Sequence, residues 1–176
     1  MKKISLALTM ALIGTASSAQ AEDSLYLHAG GFSKHFESRA GNQDYNEVHN
    51  NFGLEYETSL SKGWAKLGRQ WKGFYVSAIG QYMKNSLDND TGIFGGALKH
   101  KWRYKRDWEF AIGGFAGTQN GYPNASEDRG KSSYVPVAYP FIEASYGRFG
   151  TYAACVPDIY NSGFCFVGFK ARLHRW

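Results

Sequence analysis

Asn51-Phe52-Gly53-Leu54-Glu55-Tyr56-Glu57-Thr58-Ser59-Leu60 separates into two faces. Phe52, Leu54, Tyr56 and Leu60 fall on one side of an extended chain; Asn51, Gly53, Glu55, Glu57 and Ser59 fall on the other. A period of two residues is that of a strand with unlike surroundings on its two faces. A soluble sandwich turns the bulky face inward. A membrane barrel turns it to lipid and fills its lumen with small and polar groups.

Similar segments recur along the chain. Leu25–Phe36 precedes it, with Tyr26, Phe32 and Phe36 read on one face and Leu25, Leu27, Ala29, Gly31, Ser33 and His35 on the other. Gly73–Asn85, Gly92–Arg103, Asp107–Thr118, Ser133–Ser145, Arg148–Pro157 and Gly163–Trp176 follow. With Asn51–Leu60 these make eight, an even number, and strands of ~9–11 residues suffice to cross a bilayer when tilted. The joins alternate. Ser61–Lys72, Tyr104-Lys105-Arg106 and Tyr146-Gly147 are the turn set; Glu37–Asn50, Ser86–Thr91, Gln119–Ser132 and Asp158–Ser162 are the longer set. Short turns on one side and longer loops on the other are the habit of outer-membrane barrels. The fold expected is an all-β, eight-stranded antiparallel up-and-down transmembrane β-barrel. A soluble periplasmic barrel or sandwich is the competing architecture.

Composition agrees. The 176 residues are 16% aromatic and include 21 Gly but only 4 Pro, which suits many short strands better than helices. Hydrophobic residues make up 43% and charged residues 20%, which excludes a disordered tail. The net charge of +5 is small and scattered, so no nucleic-acid partner is expected. Trp64, Trp71, Trp102, Tyr104, Trp108 and Tyr146 stand at strand ends, where aromatic girdles meet the membrane interface. One strand resists the pattern: Lys170, Arg172 and His174 share the face of Trp176.

The chain opens with Lys2-Lys3, an apolar stretch from Ile4 to Ile13 and Ala19-Gln20-Ala21. This is the form of a secretory signal with an A-x-A cleavage site. Residues 1–21 are expected to be removed, leaving a single barrel domain, 22–176, in the outer membrane of a Gram-negative bacterium. No Cys follows the site, which disfavours a lipid anchor. An exported protein meets a compartment that permits disulfides. Cys155 and Cys165 would face each other in a hairpin centred on Tyr160; a cross-strand bond and two free thiols both remain open. No metal-ligand spacing is present and no cofactor is expected.

Chemistry must come from Ser, His and a carboxylate or amide near one mouth of the barrel. His35 closes the first strand on its small-residue face, and Ser86 follows Asn85 at the end of the third. If the first strand runs outward so does the third, placing both at the outer rim. There a His and a Ser could act on an ester carbonyl. A solvated His35 and a turn-capping Ser86 are the plainer alternative.

Several motifs, in order, resemble those of the lipid A palmitoyltransferases, the PagP family. Tyr45-Asn46-Glu47 with Phe52-Gly53-Leu54 is similar to the start of that family's second strand. Tyr82-Met83-Lys84-Asn85-Ser86 is similar to its catalytic Phe-Lys-Asp-Ser. Trp102-Arg103, Val135-Pro136-Val137-Ala138-Tyr139-Pro140, Ala144-Ser145-Tyr146-Gly147 and Val156-Pro157 follow its order. The resemblance implies an acyltransferase that moves a fatty acyl chain from a phospholipid to lipid A, acting as a monomer on membrane lipids. His35 would be the base, Ser86 the nucleophile or polarising hydroxyl, and Asn85 an orienting amide where the family has Asp; His28 has the wrong strand parity. Asp88 and Asp90 are candidates to replace the missing carboxylate. Pro136, Pro140 and Pro157 lack the ladder donor, so pairing between the sixth and seventh strands should be interrupted. The resemblance makes this gap a lipid entrance; strand ends and a bulge are the plainer account. Leu25, Leu27, Ala29 and Gly31 are expected to line an acyl pocket. Glu55 and Glu57 fit a lumen only if Lys or Arg meets them across it. The alternative function is a non-catalytic small barrel working in adhesion or exclusion through Glu37–Asn50 and Gln119–Ser132.

Overall fold

The computed structural model describes residues 23–36, 45–62, 67–104, 107–121, 134–156 and 163–176. Trp64 and Pro157, the signal segment, and most of the two long polar loops lie outside these. Eight strands form a closed antiparallel barrel in sequence order, β8 pairing back onto β1. They are β1 (Ser24–His35), β2 (Val48–Ser59), β3 (Phe74–Lys84), β4 (Asp90–Tyr104), β5 (Trp108–Gln119), β6 (Val135–Tyr146), β7 (Phe149–Val156) and β8 (Phe164–Arg175). The start of β1 and the end of β8 lie at one end, the terminal end. The last residues of β1, β3, β5 and β7 lie at the other, the loop end.

The alternation of β2 holds from Asn51 to Glu57, but Leu60, read with the outward set, is buried, because it lies beyond the last residue of the strand, in the turn. Phe52 is 60% exposed and Leu54 lies outside, while Glu55 is completely buried inside. Leu98, Ile112, Ile142, Phe169 and Leu173 continue the exposed apolar belt. An apolar surface this continuous around a closed barrel is a lipid-facing surface. At the terminal end an aromatic band follows it: Trp71, Phe74, His100, Trp102, Phe110, Trp108 and Tyr146 touch ring to ring in that order. Such a band belongs at the membrane interface. The fold is therefore a transmembrane barrel.

β1 departs from its simple reading. The register against β2 shifts between Ala29 and Gly31, and Gly30 takes φ +67°, a conformation open to glycine. The extra residue reverses the parity of everything before it. Tyr26 and His28 therefore point inward and are buried, and Leu25, Leu27 and Ala29 face outward. These three do not line the lumen as expected; Gly31 does. A second register shift, where Leu25 opposes His174 and Tyr26 opposes Arg172, resolves the anomaly of β8. Lys170 is inside and buried, while His174 and Trp176 are exposed on the outer side.

Cys155 and Cys165 are bonded to each other and stand opposite in the β7–β8 ladder. β6 pairs with β5 along its whole length, Val135 to Tyr146. Among the described residues its ladder with β7 runs from Phe141–Ala154 to Tyr146–Phe149, and Pro140 and Tyr139 make no pair with Cys155 and Val156, Pro140 having no donor to offer. The residues that would face Pro136 lie outside the described ones.

Candidate functional site

The lumen has two unlike halves. The terminal half is filled with charge. Lys99 reaches Glu55, Glu57 at 2.9 Å and Glu143 at 3.1 Å. Lys170 meets Glu143 at 2.6 Å, and Lys101 bridges Glu57 and Glu109. His28 Nε2 donates to Glu55 at 2.9 Å while Gln81 donates to its Nδ1; Ser77 also donates to Glu55. The two glutamates of β2 thus find the lysines they require, from β4 and β8. Buried charge is tolerated only when paired and hydrogen-bonded in this way. The network fills this half of the lumen with buried, paired charge, and it fixes His28 as a structural member.

Above this lies an apolar layer. Ile93, Ala97, Phe115, Phe141 and Ala154 form a buried cluster, with Met83, Val137, Tyr139 and Phe166 packed against it. Gly168 allows the layer to close, because a Cβ there would lie 2.3 Å from the Tyr152 ring. Towards the loop end the layer opens into a chamber of about 80 Å³. Met83, Ile93, Val137, Tyr139, Phe164 and Phe166 form its apolar wall. Asn51 of β2 and Gln81 of β3 make the lining polar on another side: Asn51 donates to the Tyr152 hydroxyl at 3.1 Å and to Gln81 at 3.3 Å. Tyr139 belongs to the part of β6 that the described residues of β7 leave unpaired, so the chamber abuts the end of that ladder.

The expected site residues all reach this end. Asn85 and Ser86 line the chamber; His35 is set on its rim against Phe164. His35 stacks on Tyr45 with centroids 3.9 Å apart, and the next residue, Asn46, donates its N–H to the Ser86 carbonyl. No hydrogen bond joins His35 to Asn85 or Ser86 among the described residues, and His35 Nδ1 is buried without a partner.

Asn85 does other work. Its Oδ1 accepts from the N–H of Leu87 and of Asn89, and its Nδ2 donates to the Gly121 carbonyl at 2.9 Å. It builds the β3–β4 turn and ties it to the end of β5. A carboxylate could not donate to Gly121, so an Asn at this position has a structural cause. Neither acidic neighbour stands in. Asp88 is exposed and accepts from the Asn46 amide; Asp90 is exposed beside Lys84 at 3.5 Å.

One pair escaped the sequence reading. His49, at the start of β2, bonds Ser33 Oγ through Nε2 at 2.7 Å and the Lys84 carbonyl through Nδ1 at 2.8 Å. Both side chains are buried, and His49 lines the chamber. The available signal was parity: His49 continues the inward series of Asn51, Gly53 and Glu55 two residues earlier.

A second cleft, of about 120 Å³, opens at the terminal end among Arg103, Arg148, Arg172, Asp107 and Glu109, far from these groups.

No family model matches the chain, and no curated protein matches it. Among solved structures it is similar to the Yersinia pestis outer membrane protein Ail in a phospholipid bilayer nanodisc. The identity is 13% and the TM-score 0.40, over 88% of this chain and 100% of that one. It is also similar to the N-terminal β-barrel domain of Pseudomonas aeruginosa OprF. There the identity is 12% and the TM-score 0.41, over 86% of this chain and 99% of that one.

Proposed function

We propose that the protein is an outer-membrane barrel that draws the acyl chain of a membrane lipid into the loop-end half of its lumen. The reaction that goes with this is the acyl transfer from a phospholipid to lipid A that the PagP resemblance implies. The observation that carries the reading is the chamber itself: lined largely by apolar side chains, set above the ion pairs, and bordered by the part of β6 that the described residues of β7 leave unpaired. Its free volume is room for roughly half a dozen water-sized groups, enough for a segment of a fatty chain. Entry from the side through the β6–β7 interruption would spare the chain a passage through the charged half.

The bonding of Asn85 favours a second reading, a non-catalytic barrel that presents its loops for adhesion or exclusion. An amide committed to a turn has no freedom to orient His35.

Lipid A and phospholipid mass spectrometry separates the two. Expression of the wild type in an outer membrane should add an acyl chain to lipid A and leave lysophospholipid. Val137→Trp, which fills the chamber, should abolish both while the barrel still assembles. Unchanged lipids in the presence of assembled wild type would leave the non-catalytic reading in possession.

A further inference from the structure

We propose that Ser33 and His49 are a nucleophile–base pair at the mouth of the chamber, acting on the ester of a lipid whose chain the chamber holds. The inference rests on the chain-binding reading above and adds to it the reacting groups, which are neither His35 nor Ser86.

The hydrogen bonds fix the protons. The Lys84 carbonyl can only accept, so Nδ1 of His49 carries hydrogen. In the neutral ring Nε2 then holds the lone pair, and the Ser33 hydroxyl, 2.7 Å away, donates to it. That is the arrangement of an activated serine: base against hydroxyl, and a third group holding the base in the right tautomer. Here the third group is a main-chain carbonyl of β3. It belongs to a strand end that the Asn85 turn holds in place, which gives the commitment of Asn85 a use.

Placement completes the case. Ser33 lies two residues beyond Gly31 on the inward face of β1, and Gly31, the previous inward residue, lines the chamber. Two residues along a strand advance ~6.6 Å. An acyl tail lying against Gly31, Ile93 and Phe166 would therefore bring its carbonyl to the level of Ser33. Burial of both side chains keeps the pair away from bulk water, where a serine hydroxyl is a poor nucleophile.

The chemistry balances without a cofactor. Ser33 Oγ bonds to the acyl carbonyl carbon as its proton moves to His49 Nε2. The bond from that carbon to the glycerol oxygen breaks, and the oxygen leaves with the proton from Nε2. A hydroxyl acceptor, water or a sugar alcohol, then attacks the acyl-serine. It gives its proton to Nε2 and takes the acyl group, and Ser33 recovers the proton.

An alkyl fluorophosphonate of fatty-chain length tests this on the full barrel in detergent micelles. Peptide mass mapping should place the adduct on Ser33. Ser33→Ala should lose it, and His49→Gln should slow labelling by ~10²-fold or more, as expected when a general base is removed. Circular dichroism and resistance to unfolding should show both variants folded. An adduct on Ser86, or a folded Ser33→Ala protein that labels like wild type, would overturn the assignment. Binding of a labelled fatty acid is measured alongside. A chain that binds to wild type but not to Val137→Trp, with no adduct on Ser33, overturns the pair and leaves the chain-binding reading standing. No chain binding in wild type overturns both.

Discussion

The two halves of the lumen are built from the same strands yet solve opposite problems. In the terminal half, Glu55, Glu57, Glu109 and Glu143 interlock with Lys99, Lys101 and Lys170, so the space is full and the partners are fixed. In the loop-end half, Ile93, Val137, Tyr139 and Phe166 leave a chamber, and the neighbouring ladder stops at Phe141 among the described residues. The difference teaches where the lumen is filled and where space is kept. If a lipid enters the chamber from the β6–β7 side as proposed, the filled half is what holds the barrel closed meanwhile, because backbone groups in the membrane must stay paired elsewhere.

The largest effect is expected where the locked half is broken. Lys99→Met removes the ammonium shared by three carboxylates and leaves them buried without it. Unpairing of this kind costs about 3–5 kcal/mol. Denaturant unfolding of the refolded barrel should show that loss; a shift below about 1 kcal/mol would mean the network does not hold the base.

Next comes the outer surface, which both halves share. Leu98→Lys puts a charge near the middle of the apolar belt and should cost about 2–4 kcal/mol in a bilayer. The same change in a soluble sandwich surface would cost almost nothing, so the measurement decides which medium the belt meets.

A smaller effect should follow in the loop-end half. Asn85→Ala removes the side chain that serves Leu87, Asn89 and Gly121, and should cost about 1–3 kcal/mol. Asn85→Asp should also destabilise, since it sets a carboxylate against the Gly121 carbonyl. A gain of activity in Asn85→Asp without loss of stability would instead favour the catalytic role implied by the PagP resemblance. The smallest effect on stability belongs to Val137→Trp, within about 1 kcal/mol, because the ring enters existing space rather than packed core.

The sequence told most where one period ran unbroken. In β2 the alternation runs unbroken from Val48 to Glu57, so the outward Phe52 and Leu54 and the inward glutamates were readable from spacing alone. In β1 a single glycine at positive φ moved Leu25, Leu27 and Ala29 to the lipid side and Tyr26 and His28 inside. Nothing in a lone Gly30-Gly31 pair states which of its neighbours is the extra residue. The rim shows the same limit. His35, Asn85 and Ser86 lie at one end of the barrel, but the hydroxyl–imidazole contact there is between Ser33 and His49 on adjacent strands. That contact depends on the register the bulge sets, and on a β2 that starts at Val48 rather than Asn51. The lysines that answer Glu55 and Glu57 were foreseeable as a need, not as Lys99 and Lys101.

The most direct measurement is solution NMR of the methyl-labelled protein in a lipid nanodisc. Nuclear Overhauser contacts from lipid acyl chains should reach the methyl groups of Leu54, Leu98, Ile112 and Ile142 and leave Ala97 and Ala111 untouched. The opposite pattern, with the Leu and Ile methyls shielded from lipid and touching one another, would contradict an outward apolar belt around a lumen kept for a guest.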